Sequence, residues 1–275
     1  MGMVMAALSK KRLWQIALEL IPQFRIRSVE ADVIAYNIGI SSCERSKAWS
    51  KAIELLDTMP QEGLVPDEVT LNSVMSACSR SWACAVEVFR ESILKSTAAS
   101  TYSFNSCIGA CERGGQWKLA SSLFDCMSTG NVEADVYTIT LTMNACRAKP
   151  ESWLTALGLL EEMPPRKLCP NEVTYSSVMQ ACFSSRQWKE VLHCFNTMHS
   201  ESVAPGAITY NIAIRACAGG ACWLALQLFG DLQSLRRPEA DSYAALLASF
   251  EASSLWASAS DIVRDPMSES YGPMR

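Results

Sequence analysis

The chain has 275 residues, of which 49% are hydrophobic, so it holds enough apolar material for a packed interior. No apolar run reaches the ~18 residues that a membrane-spanning helix needs, and we therefore expect no membrane partner. The net charge of −4 argues against nucleic acid as a partner, because proteins that bind a phosphate backbone are often basic.

The tryptophans form a regular series along the whole chain. All eight lie 33 to 36 residues apart, at Trp14, Trp49, Trp82, Trp117, Trp153, Trp188, Trp223 and Trp256. Six of the twelve cysteines follow the same spacing, at Cys43, Cys78, Cys111, Cys146, Cys182 and Cys217. A period of this length is typical of solenoid proteins, in which each repeat packs only against its neighbours. The spacing therefore predicts one stack of repeats.

In chain order, residues 1–32 form a repeat that lacks its first positions. Six full repeats follow, at 33–67, 68–100, 101–135, 136–171, 172–206 and 207–239. A degraded copy at 240–265 has Asp241 and Ala244 at positions that are apolar and polar in the full repeats, which suits a cap. The chain ends with a polar tail at 266–275.

Each repeat is predicted to contain two antiparallel helices. In the first repeat, the apolar residues of the second half recur at three- and four-residue steps, at Trp49, Ile53, Leu56 and Met59. This spacing places them on one helical face, and Tyr36, Ile40 and Cys43 do the same in the first half. Gly and Pro follow the second helix, where they interrupt it. No β-like alternation occurs, so the predicted fold class is all-α.

Four segments preceding or opening a first helix share a further pattern: ADVIAYN (31–37), VPDEVTLN (65–72), CPNEVTYS (169–176) and APGAITYN (204–211). With these motifs the chain resembles the P-type pentatricopeptide repeat family, RNA-binding relatives of the tetratricopeptides, over roughly residues 1–265. The resemblance implies a right-handed superhelical α-solenoid of helix-turn-helix repeats of about 35 residues. It also implies a sequence-selective protein that binds single-stranded RNA in organelles.

The resemblance implies that the fifth residue of a repeat and its last residue contact the edge of one base. The well-formed pairs are Asn37 with Asp67, Asn72 with Ser100, Asn105 with Asp135, and Thr140 with Asn171. They are expected to favour U, C, U and A, read 5′ to 3′ along the chain. Ser176 with Gly206 and Asn211 with Glu239 have no clear preference. Thr140→Asn is expected to shift the fourth position toward a pyrimidine.

The second residue of each repeat is implied to wedge a base between neighbouring repeats by apolar or aromatic contact. These residues are Ile34, Val69, Tyr102, Tyr137, Val173 and Ile208. Arg45, Arg80 and Arg113 stand two residues beyond the periodic cysteines, where the family lies close to the RNA backbone. Their alternative role is that of solvated helix ends. This cationic stripe fades toward the C-terminus, where Ala148, Ser184 and Gly219 occupy the matching positions.

The remaining features favour packing over chemistry. We expect the periodic Trp and Cys to lie in the core, the Cys as reduced thiols, since no signal peptide is evident. Cys107 and Cys111 are one helical turn apart, but the only His are His193 and His199, so no metal site is predicted. No phosphate loop, nucleophile elbow or deaminase signature is present. We therefore predict neither catalysis nor a cofactor.

Two functions compete for this pattern. The first is a monomeric RNA binder that acts in organellar RNA processing, stabilisation or translation, with RNA-processing enzymes as further partners. The second is a scaffold that accepts a protein or peptide on its concave face. Polar residues at one register favour RNA, because Asn is a poor interior helix former. The family favours the chloroplast over the mitochondrion. No Arg- and Ser-rich leader is recognised, so we expect an upstream start, a fragment or an import signal of another kind.

Overall fold

A computed structural model describes residues 33–46, 48–94, 100–147, 149–219, 222–235 and 237–253. These residues form helices joined by turns and contain no strand. The helices are α1 (Val33–Ser46), α2 (Trp49–Gln61), α3 (Glu68–Ala77), α4 (Trp82–Leu94), α5 (Thr101–Arg113), α6 (Trp117–Thr129), α7 (Val136–Cys146), α8 (Trp153–Glu162), α9 (Glu172–Ser184), α10 (Trp188–Ser200), α11 (Ala207–Ala216), α12 (Cys222–Leu235) and α13 (Ala240–Ser253). The predicted all-α class of helix-turn-helix repeats is confirmed.

Three short 3-10 helices lie in turns, at Cys78–Arg80, Pro150–Ser152 and Cys217–Gly219. The incomplete repeat predicted at 1–32, the second half of the degraded copy and the tail at 266–275 lie outside the described residues. Among the described residues, no helix is both long enough and apolar enough to cross a bilayer.

The chain divides into two compact units, residues 1–145 and 146–275. In the first unit, α1 packs against α2 and α3, and α3 packs against α4 and α5. In the second unit, α9 packs against α10 and α11, and α11 packs against α12 and α13. In both units, therefore, odd-numbered helices such as α3 and α11 contact both their own hairpin partner and the odd-numbered helix of the next hairpin, which is the packing of a helical-repeat protein.

The last residue of a repeat begins the first helix of the next one. The side chains of Asp67, Ser100 and Asn171 each accept a hydrogen bond from the backbone N–H three residues later. In turn, the hydroxyls of Thr70 and Thr174 accept a hydrogen bond from the backbone N–H of the cap residue, which completes a capping box at α3 and at α9. Such caps satisfy N–H groups that have no partner inside the helix.

The periodic cysteines lie in the core, as predicted. All six are 0% exposed, and burial raises the pKa of Cys43 to about 11 and that of Cys78 to about 12. The small thiol allows the two helices of a hairpin to approach closely. Because burial disfavours the charged thiolate, Cys43 and Cys78 are poor nucleophiles and serve packing.

The periodic tryptophans begin α2, α4, α6, α8 and α10, as predicted. Trp117 is half-buried and packs against the core, but the assignment to the core is wrong for Trp49, Trp82 and Trp223. Trp49 and Trp82 are each 36% exposed and Trp223 is 71% exposed. A residue that opens a helix stands next to the turn, so its ring reaches the edge of the hairpin. Trp82 lies there against the turn after α5, where a Cβ added at Gly114 would overlap the indole ring.

Candidate nucleic-acid interface

The fifth residue of the first full repeat meets the residue that ends this repeat. Asn37 Nδ2 donates to Asp67 Oδ1 at 3.2 Å, although 30 residues separate the two. The hydroxyl of Thr70, on the next helix, donates to Asn37 Oδ1 at 2.6 Å and lies 2.7 Å from Asp67 Oδ1. One hydroxyl therefore orients both the amide and the carboxylate.

The same arrangement recurs two repeats later. Thr138 Oγ1 lies 2.6 Å from Asn105 Oδ1 and 2.8 Å from Asp135 Oδ1. Because the hydroxyl donates to the amide oxygen, the Asn105 amide nitrogen is directed away from this contact and is left to donate elsewhere.

The repeat between these two uses shorter side chains in the same roles. Ser103 Oγ donates to Asn72 Oδ1 at 2.8 Å, and Ser100 Oγ lies 3.2 Å from Ser103 Oγ. The end residue is here a neutral hydroxyl, where the neighbouring repeats have a carboxylate. The first three predicted reading pairs therefore share one geometry but differ in charge.

The carboxylate of Asp67 is held in its charged form. Burial alone would raise its pKa, but hydrogen bonds from the backbone and side chain of Thr70 and from Asn37 lower the pKa below its ordinary value. A negative, acceptor-only group therefore stands beside the Asn37 amide at neutral pH. The hydrogen bonds from Asn37 and Thr70 converge on Oδ1.

The later pairs are less complete. Asn171 caps α9 by accepting from Thr174 at 3.0 Å. Thr140, its predicted partner, is 8% exposed, and its hydroxyl donates to the Val136 carbonyl at 2.7 Å. Ser176 likewise donates to the Val173 carbonyl within its own helix. These hydroxyls therefore keep only acceptor capacity for a base.

Thr70, Ser103 and Thr138 are each the third residue of a repeat. The hydroxyls at this position in the last two repeats lack such partners among the described residues. Thr209 Oγ1 and Ser242 Oγ are buried without a hydrogen bond among the described residues, and so is Asn211 Oδ1. Gly206 has no side chain with which to meet Thr209. Glu239 stands where the first repeat has an Asp, and the network seen around Thr70 is absent at Ser242 in the described part of the chain.

The predicted stacking residues form a second series. Ile34, Val69, Tyr102, Tyr137, Val173 and Ile208 are 57–67% exposed. Large apolar side chains that face water at one fixed register are not explained by packing, because the buried face of each helix is formed by other residues. Each precedes its reading residue by three positions, so both lie on the same side of the helix.

In the first unit, two residues of this series line one cavity of about 530 Å³. Tyr102 and Tyr137 line it together with Asn105, Asp135 and Arg113. Two aromatic rings, an amide, a carboxylate and a guanidinium therefore converge on a space within the range of small-ligand sites. This combination matches the needs of a nucleotide: flat faces for the base, hydrogen-bonding groups for its edge and a cation for its phosphate.

The three predicted phosphate-binding arginines differ in their support. Arg113 is exposed, and its Nε donates to the Ser79 carbonyl of the preceding repeat at 2.8 Å. Arg80 is exposed at the end of the 3-10 helix Cys78–Arg80. Arg45 lies in α1, but its side chain is outside the described residues. In the described part of the first unit, Arg113 is thus the cation held in place beside a reading pair.

Two functional candidates escaped the sequence analysis. One is the hydroxyl at the third position of every repeat after the first, which orients the reading residues in the first unit. Its signal was present as Thr or Ser at 70, 103, 138, 174, 209 and 242. The other is Arg215, which lines a cavity of about 410 Å³ in the second unit. It is the ninth residue of its repeat, outside the predicted arginine stripe.

The repeated hairpins and these two series of side chains define a helical-repeat protein with one candidate ligand position per repeat. Comparison with known sequences agrees with this class. A profile described as the PPR repeat family matches residues 31–80 and 170–219, and one described as the PPR repeat matches residues 102–132. The chain thus contains pentatricopeptide repeats at these residues.

Individual relatives cover parts of the chain. A pentatricopeptide repeat-containing protein of Arabidopsis thaliana is 29% identical over 90 residues, which are 33% of this chain and 16% of that protein. The crystal structure of the pentatricopeptide repeat protein PPR10 from maize is 25% identical, with a TM-score of 0.68 over 90% of this chain and 36% of that chain. This chain therefore spans only a minor part of the length of either relative.

A third similarity concerns the fold alone. The PPR domain of Arabidopsis thaliana protein-only RNase P 1, solved in complex with tRNA, is 14% identical with a TM-score of 0.58. The match covers 67% of this chain and 98% of that domain.

Proposed function

We propose that this protein binds single-stranded RNA selectively, with one nucleotide per repeat and a core preference for U-C-U-A. The observation that carries the proposal is the exposed apolar series at the second positions, placed three residues before the polar reading series. A groove for an extended peptide does not require short amides and hydroxyls at one register. Unpaired bases need both series, because their faces stack and their edges form hydrogen bonds.

The charge of the end residue accounts for the proposed choice between uracil and cytosine. Uracil presents an N–H at N3, which a carboxylate such as Asp67 accepts. Cytosine presents a lone pair at N3, which a carboxylate repels but a hydroxyl such as that of Ser100 satisfies. The adjacent Asn amide donates to a base carbonyl in either case. The networks at Asn37, Asn72 and Asn105 support U, C and U in this order.

Relatives support the class of ligand. PPR10 from maize, which has 25% identity to this chain, has also been solved in complex with an 18-nt psaJ RNA element. Pentatricopeptide repeat proteins are generally organellar, which supports an organellar location for this chain. We further propose P-type repeats and a role in organellar RNA processing, stabilisation or translation, the chloroplast being preferred. The chain acts by occupancy as a monomer, while partner enzymes supply the catalysis.

The decisive experiment compares two single-stranded hexamers of identical composition, 5′-UCUAAA and 5′-AUACAU, by fluorescence anisotropy. The first is expected to bind at least ~10-fold more tightly, which corresponds to about 1.4 kcal/mol. Affinity should fall with salt by a log–log slope of about 0.7 for each phosphate contact. Equal affinity for both hexamers would reject sequence-selective binding.

A matched pair of variants links the preference to the proposed site. Asp67→Asn removes a charge from the reading network, whereas Asp57→Asn removes one from the exposed side of α2. Only the first should reduce the preference for U at the first nucleotide. If both variants reduced the preference for U equally, the effect would come from overall charge and not from the reading network.

A further inference from the structure

Arg215 has a fixed position in the second unit. Its guanidinium carbon lies 4.6 Å from the centroid of the Phe183 ring, which belongs to the preceding repeat. Arg215 is exposed, and none of the described residues forms an ion pair with it. A cation that rests on an aromatic face without a carboxylate partner keeps its hydrogen-bond donors for another anion.

The position of this guanidinium corresponds to that of Arg113 in the first unit. Arg113 is held by the carbonyl of Ser79, the twelfth residue of its repeat, and Phe183 is also a twelfth residue. Arg113 reaches back over Gly109, since a Cβ there would lie 3.5 Å from Arg113 Nη2. Gly109 and Arg215 are both ninth residues. Arg113 therefore passes over a ninth residue, whereas Arg215 is itself a ninth residue. Both guanidinium groups contact the twelfth residue of the preceding repeat.

The surroundings of Arg215 resemble those of a reading site. The 410 Å³ cavity that it lines also contains Ile208 and Asn211, the stacking and reading residues of the sixth repeat. Asn211 Oδ1 is buried and has no partner among the described residues. An unpaired buried acceptor destabilises the free protein, and a ligand that donates a hydrogen bond to it would offset this cost. Asp241 lines the same cavity.

We infer that Arg215 binds the phosphodiester of the nucleotide in the sixth repeat. This inference rests on the RNA-binding function proposed above. It supplies the second unit with a cation where the thirteenth positions no longer carry one, at Ser184 and Gly219. The Arg215 guanidinium extends from the ninth residue of the repeat, and the Phe183 ring holds it as the Ser79 carbonyl holds Arg113.

The test combines a protein variant with neutral RNA linkages. Copies of 5′-UCUAAA each carry one methylphosphonate in place of a phosphodiester, at every linkage in turn. Arg215→Gln is expected to weaken binding of the unmodified hexamer about 10-fold and to lower the salt slope by about 0.7. In the wild type, a methylphosphonate at one linkage near the 3′ end should weaken binding by the same factor. The same methylphosphonate should not weaken binding to Arg215→Gln any further.

Two controls assign the effect. Arg113→Gln should become insensitive to a different linkage, closer to the 5′ end. Lys189→Gln removes an exposed charge from α10, outside the cavity, and should retain the wild-type sensitivity at every linkage. Melting temperatures of all variants identify any loss of folding, which would weaken binding to every hexamer alike.

The outcomes separate this inference from the proposed function. If the wild type discriminates 5′-UCUAAA from 5′-AUACAU but Arg215→Gln stays sensitive to every neutral linkage, the role of Arg215 is wrong and RNA reading stands. If the wild type does not discriminate the two hexamers, the proposed function fails and the inference fails with it.

Discussion

The two units are built from the same hairpin but differ in how their reading residues are held. In the first unit, hydroxyls at third positions join Asn37 to Asp67, Asn72 to Ser100 and Asn105 to Asp135 through short hydrogen bonds. In the second unit, the hydroxyls of Thr209 and Ser242 are buried and unpaired among the described residues. The third-position hydroxyl is thus retained after its partners have changed.

The difference shows that the residue at the repeat end decides whether the reading amide is oriented. Asp and Ser are short enough to cap the next helix and to meet the third-position hydroxyl. Gly206 has no side chain, and Glu239 is one methylene longer than Asp. An oriented amide loses little conformational entropy when it binds a base, because its rotamer is already restricted. We therefore expect the first unit to supply most of the sequence discrimination.

The largest expected effect tests stacking. Tyr137→Ala removes one of the two rings around the cavity that contains Asn105, and each stacked base is worth about 1–3 kcal/mol. Binding of 5′-UCUAAA in anisotropy titrations should weaken ~10-fold or more. Val173→Ala, at the same register in the second unit, removes a smaller apolar surface and should cost less. An equal loss for both variants would contradict the assignment of the Tyr102–Tyr137 cavity as a nucleotide site.

A smaller effect is expected from exchanging the end residues. Asp67→Ser gives the first repeat the end residue of the second, and Ser100→Asp does the reverse. Titrations with hexamers that differ at one position should show the first nucleotide changing from U to C, and the second from C to U, each by about 10-fold. A variant that loses affinity for every hexamer equally would indicate a capping defect without a role in base choice.

The charge of Asp67 also predicts a pH dependence. Because the pKa of Asp67 is lower in the folded protein than its ordinary value of 3.8, its charged form stabilises the fold above that value. This contribution is lost as the pH falls through the lower folded pKa. Thermal melts between pH 7 and pH 3 should therefore show a smaller acid destabilisation for Asp67→Ser than for the wild type. Parallel curves would contradict the hydrogen-bonded carboxylate.

The smallest expected effect restores a missing cap. Gly206→Asn supplies an N-cap side chain to α11 and a partner for Thr209, so we expect a stabilisation of about 1 kcal/mol. A side chain at this position displaces the flexible Glu172 carboxylate, which a Cβ would overlap. Gly206→Ala provides the control, because it displaces Glu172 without capping. Thermal melting should rank Asn above Gly and Ala; a variant no more stable than Gly206→Ala would show that the cap does not form.

Much of the architecture was predictable from local sequence patterns. The 35-residue period and the Trp at the start of each second helix placed most of the helices, because three- and four-residue spacing defines a helical face. The periodic Cys was correctly assigned to the core on the same basis. The core assignment failed for Trp49, Trp82 and Trp223, because periodicity gives a register but does not show how far a ring at a helix end projects from the hairpin.

The sequence by itself determined the register: which residues are second, fifth and last in each repeat, and therefore which side chains share a helical face. The tertiary structure decided which of these side chains meet. The contact between Asn37 and Thr70 spans 33 residues, and Arg215 reaches Phe183 from another helix. Such contacts depend on the packing of neighbouring hairpins and on side-chain length, and neither is encoded in the period of a single chain segment.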